Sequence, residues 1–172
     1  MVTLFEDKIP ILRRALWFVL KLNLLALPLY LAVYFGLEST EFRDVWAAGL
    51  SQSLGSLGYE TSLDGHNIGV KSGNSLYQID LSWDSTGWKS LYAMFALVFA
   101  SGVGSLRQKL AFLAFALPAI AFFNLLRLVT TSLVYVNYGL PGFDLVHGLL
   151  WSAMMVALVV CVWYYLYLKD KR

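Results

Sequence analysis

Charge is scarce in this chain, and cysteine and histidine are almost missing. Asp, Glu, Lys and Arg make up 14% of its 172 residues, against about 25% in an ordinary soluble domain. One cysteine, Cys161, excludes a disulfide-stapled scaffold. It lies in the apolar run from Val156 to Val162, where inert packing is expected. Two distant histidines and no cysteine cluster give no metal site and imply no cofactor. A net charge of +2, with no basic stripe interleaved with aromatics, gives no reason to expect nucleic acid. Disorder is excluded by the opposite excess, since 59% of the residues are hydrophobic. The mean hydropathy of +0.64 is more than a soluble core of this size could hide, so lipid is the expected solvent.

Four stretches are apolar enough to cross a bilayer, at about 15–37, 88–103, 110–136 and 145–168. The first contains Pro28, where a kink is expected, and Lys21, which can snorkel to the headgroups. It is too long and too aromatic for a cleaved signal peptide and reads as a retained anchor. The second is short and closes at Gly102 and Gly104.

The basic residues give a direction. Lys8, Arg13 and Arg14 precede the first span, Arg107 and Lys109 link the second to the third, and Lys169, Lys171 and Arg172 follow the fourth. Those are 8 of the 13 Lys and Arg. The segment 38–87 holds seven acidic residues against Arg43 and Lys71, and the link from Asn137 to Asp144 holds no base. The positive-inside rule then puts both termini in the cytoplasm, and the segment and the link outside. The expected fold is an all-α polytopic membrane protein with four transmembrane helices and a small outward α+β segment, as one membrane domain.

That segment has its own pattern. Ser39, Thr40 and Glu41 form a helix start, with Trp46, Leu50 and Leu54 following at helical spacing. Glycines 55, 58 and 65 then lead to an expected hairpin turning at Lys71-Ser72-Gly73-Asn74. Beyond the turn, Tyr77, Ile79, Leu81 and Trp83 alternate with Gln78, Asp80, Ser82 and Asp84.

Three polar features fall at the outer side. Arg127 is 17 residues past Leu110, roughly 25 Å along a helix from the cytoplasmic start. An ionisable group inside a span marks function by default, the plainer alternative being an arginine that snorkels outward. Asn124 lies one turn earlier on the same face. His147 follows Pro141-Gly142-Phe143-Asp144 and opens the fourth helix. It suits proton transfer, or is simply an interfacial histidine with a satisfied ring. The turn Asp84-Ser85-Thr86-Gly87 joins strand to helix, where its side chains could serve chemistry or only cap the helix. Together a hydroxyl, a histidine and an arginine at one depth are the inventory of an acyl-transfer site.

At these residues the sequence resembles the exosortase and archaeosortase membrane transpeptidases. Asn124-Leu125-Leu126-Arg127 is similar to that family's Asn-x-x-Arg motif, and His147 to its following histidine. The run from Trp83 to Leu91 looks like its Cys-x-Gly nucleophile motif, with Ser85 in the cysteine's place and Gly87 as the glycine. The resemblance covers roughly 82–148, and the order and topology of the motifs carry more of it than any one motif.

The resemblance implies a cysteine-type transpeptidase in the cell membrane with an outward active site. Its partners would be membrane-anchored substrate proteins bearing a C-terminal sorting signal (motif, transmembrane helix, basic tail), with a lipid acceptor or water. Residue 85 would be the nucleophile position, His147 would move the proton, and Arg127 would hold the oxyanion or thiolate. Asp84, Gly87, Lys89 and Asn124 would support them. A thiol of pKa about 8.5 ionises far more readily than a serine hydroxyl. Cys161 is 14 residues past His147, roughly 20 Å deeper, and cannot stand in. Serine at 85 therefore reads as an inactivating substitution, a natural serine protease within the membrane, or a non-catalytic binding or assembly protein. The first is favoured because the rest of the constellation is intact.

Overall fold

The computed structural model describes the backbone of residues 9–170 and the side chains of 12–148 and 153–165. Of the basic residues that set the direction, Lys8, Lys171 and Arg172 and the side chain of Lys169 lie outside the described residues. The elements run α1 (Ile9–Tyr34), α2 (Thr40–Ser56), β1 (Glu60–Asp64), β2 (Asn67–Ser72), β3 (Ser75–Asp80), a 3-10 turn (Trp83–Thr86), α3 (Trp88–Ala100), α4 (Leu106–Asp144), a π-helical stretch (Leu145–Trp151) and α5 (Ser152–Asp170).

Two helical runs are long and apolar enough to cross a membrane, Leu12–Tyr34 and Leu106–Tyr165, and only 6% and 14% of their apolar windows are buried in the protein. A helix from a soluble core would hide that surface against protein. Here Leu16, Leu20, Leu24, Leu27 and Leu31 of α1 and Phe115 and Phe122 of α4 lie open, as lipid-facing side chains do. The second run is not one rod. Gly139 has φ 69° and ψ −165° and breaks it, and Pro141 two residues on denies the backbone an N–H. Instead of the expected open link over Asn137 to Asp144, helix persists on both sides of that break. The helix after Trp88 ends at Ala100, earlier than its apolar run, because Ser101 leaves the helical region.

Met94 and Val98 of α3 meet Leu113, Ala116 and Ile120 of α4 and Met155 and Val159 of α5 in one apolar cluster. α1 joins this group through Phe18, which stacks on Trp163 at 5.8 Å. It is also held by the Tyr92 hydroxyl, which donates to Leu25 O at 2.8 Å. That carbonyl lies beside the bond that Pro28 cannot make to the preceding turn.

A second cluster lies around the other half of α4. Ala47, Leu50 and Leu54 of α2 recur at helical spacing and pack with Ile68 and Val70 of β2, Leu81, and Leu128 and Val136 of α4. α2 starts where its sequence indicates, with the Ser39 hydroxyl accepting from Phe42 N. Hydrogen bonds from its own backbone amide and from Ser39 hold the Glu41 carboxyl below its ordinary pKa.

The expected hairpin is present as β2 and β3, but it belongs to a three-stranded antiparallel sheet in the order β1-β2-β3. β1 has no signature in the sequence, because Glu-Thr-Ser-Leu-Asp lacks apolar alternation and is a mostly exposed strand held by its pairing with β2. Both connections are two-residue turns that open on a positive-φ glycine, Gly65 and Gly73, the arrangement that suits strand twist. Arg43 ties α2 to the end of the sheet, its Nε donating to Leu81 O at 2.9 Å and a terminal nitrogen meeting Asp80 at 3.1 Å.

Candidate active site

β3 runs into the 3-10 turn Trp83–Thr86, and this turn carries Ser85. The Ser85 amide donates to Ser82 O at 3.0 Å, and the hydroxyls of Ser82 and Ser85 share a hydrogen bond of 2.8 Å. Thr86 is fully buried and its hydroxyl donates to Trp83 O at 2.8 Å, which fixes the turn from within. Gly87 then reverses the chain at φ 75°, and Ser90 and Leu91 make their first helical bonds to Gly87 O. A Cβ built on Gly87 would stand 2.7 Å from Asn124 Cγ. Only glycine permits both that dihedral and that approach.

Asn124 is the partner of this turn. It is 1% exposed, on α4, and its Nδ2 donates to Ser85 O at 3.2 Å. Arg127 lies one turn further along the same face and has no ion-pair partner among the described residues. His147 lies in the π-helical stretch, its ring stacked on Phe143 at 4.9 Å and nearly parallel. It is close enough to Arg127 and Asp144 for their charges to act on it. Asp84 and Lys89 pair with each other at 2.8 Å on the exposed rim.

The structure therefore joins Ser85, Gly87 and Asn124 by direct contact and brings Arg127 within electrostatic range of His147. No hydrogen bond connects the Ser85 hydroxyl to His147 or Arg127 among the described residues. Two partners were invisible in the sequence. Ser82 is an ordinary residue before a turn, and only the fold of that turn brings its hydroxyl to Ser85. Phe143 reads as part of a loop, but the chain is helical through it, which sets its ring one turn before His147. Its ring also meets Tyr135 at 5.9 Å, which in turn meets Tyr77 at 5.7 Å.

Four buried side-chain atoms lack a hydrogen-bond partner among the described residues: Trp83 Nε1, Trp88 Nε1, Asn124 Oδ1 and Arg127 Nε. All four belong to this one region, since Trp83 and Trp88 flank Ser85 and stack on each other at 5.2 Å. Each such group costs about 1–3 kcal/mol when left unpaired. Three donors and one acceptor are thus left unsatisfied around one turn and its neighbours.

A family model described as transmembrane exosortase matches residues 11–164. No curated protein matches the chain. No solved structure matches it either.

Proposed function

The chain belongs to the transmembrane exosortase family, and from that premise we propose that it is the frame of a transpeptidase for C-terminal sorting signals, with residue 85 at the nucleophile position. In this reading the chain crosses the membrane four times with both termini in the cytoplasm. The break at Gly139 supports a division of the long apolar run into two crossings. The sheet and the Ser85 turn then face outward.

The reaction follows from the groups around the turn. In a form with cysteine at 85, the thiol gives its proton to the His147 imidazole and the sulfur attacks the scissile carbonyl. The tetrahedral oxyanion is held by Arg127. The C–N bond breaks, His147 passes its proton to the leaving amine, and the substrate remains as a thioester on residue 85. A nucleophile borne by a lipid, or water, then attacks the thioester, and its proton returns the thiol. Asn124 positions the turn through Ser85 O, Gly87 lets it approach, and Asp84 and Lys89 brace its rim.

Serine at 85 disarms this sequence of steps. Its hydroxyl is bonded to Ser82 rather than to a base, and an alcohol without a base is a weak nucleophile. The observation that carries the reading is the concentration of all four orphaned buried polar atoms at the Ser85 turn and its α4 partner. The test is the intact mass of a membrane reporter ending in a sorting signal from the same host. Co-expression with the Ser85→Cys chain should shorten the reporter, and co-expression with the Ser85 chain should not. Equal shortening by both forms would make it a serine protease, and an unchanged mass with both would make it a non-catalytic binding protein.

A further inference from the structure

β3 is the edge of its sheet, and its outer side is undefended. The two-residue turn makes Ser72 and Ser75 a hydrogen-bonded pair, so 70 with 77, 68 with 79 and 66 with 81 follow by alternation. Leu81 N donating to His66 O at 3.1 Å agrees with that register. The N–H and C=O groups of Leu76, Gln78 and Asp80 therefore point away from β2. None of them bonds to another element among the described residues.

Natural edges are blunted by proline, bulges or lysine. β3 has none of these, and its pairing with β2 is regular over all six residues. The far edge is different. β1 lies against α2 through Ser51 and Thr61 at 3.0 Å, and Glu60 and Lys71 pair across it at 2.7 Å.

A groove of about 160 Å³ lies beside the second half of β3. One wall is Gln78, Ile79 and Asp80, and the other is Ser132, Tyr135 and Phe143 from α4. Both of its walls lead along the chain toward the candidate active site. Along β3 the chain passes from Asp80 to Ser85 in five residues. Along α4, Phe143 carries the His147 ring.

We propose that this groove binds the substrate, as an extended peptide that adds a fourth strand to the open edge of β3. The occupant is the outward segment of the substrate protein next to its scissile bond, so the inference rests on the transpeptidase reading above. Main-chain bonds to Leu76, Gln78 and Asp80 would hold a strand about 4.8 Å from β3 and tolerate varied side chains. Every second substrate residue would face the apolar wall of Tyr135 and Phe143. Such an edge fixes the depth of the scissile carbonyl against the Ser85 turn while reading little sequence.

The test uses the full chain in membranes and the same sorting-signal reporter as probe. A photo-crosslinking amino acid replaces Gln78 in one chain and Leu63, exposed on β1, in another. The expected result is a crosslink to the reporter from position 78 and none from 63, with Ser85 or Ser85→Cys alike, since docking does not need the nucleophile. In the Ser85→Cys chain, Gln78→Pro removes one edge N–H that β2 does not use. It should lower cleavage about tenfold, while Leu63→Ala on the far strand stays within about twofold. A Ser85→Cys chain that cleaves the reporter with no crosslink at 78, or with equal crosslinks at 78 and 63, overturns the edge inference and leaves the transpeptidase reading standing. Neither cleavage nor crosslink overturns both.

Discussion

The two halves of α4 are packed by different rules. In the half that begins at Leu106, the buried side chains Leu113, Ala116 and Ile120 are all apolar and cluster with apolar side chains of α3 and α5. In the half that ends at Asp144, Asn124, Thr131 and Ser132 are buried beside Leu128 and Val136. Two orphaned polar atoms belong to this second half, one to the Ser85 turn and one to the first residue of α3. Helix packing in lipid rests on close contact and needs no polar groups. A stretch that buries them unpaired gives up stability, which sets it apart from a helix face that serves packing alone. The first half builds the frame, and the second half carries the candidate site.

The largest way to sharpen this contrast is Arg127→Ala in the Ser85→Cys chain. Reporter cleavage should fall about 10²–10³-fold with the thermal midpoint in detergent little changed. A parallel loss of folded protein would make Arg127 a structural residue. Ile120→Ala should do the reverse, lowering stability by about 2 kcal/mol through a cavity while cleavage per folded molecule stays near its starting value. Gly87→Ala combines a disfavoured dihedral with a clash on Asn124 and should reduce both, by about 1–3 kcal/mol in stability and at least as much in rate. A Gly87→Ala chain with full activity would break the claim that this approach positions the turn. Asp84→Asn removes only an exposed ion pair with Lys89. It should change stability by less than about 1 kcal/mol, and a larger loss in a denaturant melt would give the rim a greater role.

The same division explains what the sequence could reveal. Arg127, Asn124 and His147 stood out because polar residues are rare in apolar runs, so each carried information by its mere presence. β3 was legible because Tyr77, Ile79 and Leu81 alternate, and α2 because Ser39 caps it. β1 was not, since a polar strand supported by its neighbours has no periodic signature. The break at Gly139 was also hidden, because apolar residues continue on both sides of it and the chain direction is set by one backbone conformation. The orphaned indoles of Trp83 and Trp88 were beyond reach for the same reason. Whether an N–H finds a partner depends on the packing of elements far apart in the chain. Composition and spacing thus singled out the candidate groups, while the open edge of β3 emerged only from strand register.

The central claim is that residue 85 is the position to which substrate becomes covalently attached. The most direct measurement is the intact mass of the Ser85→Cys chain recovered from membranes that contain the sorting-signal reporter. The account predicts an added mass equal to the reporter's outward portion, carried at position 85, released by hydroxylamine, and absent from the Ser85 chain. A reporter that is cut with no such adduct forming, or an adduct mapped to any other residue, would contradict it.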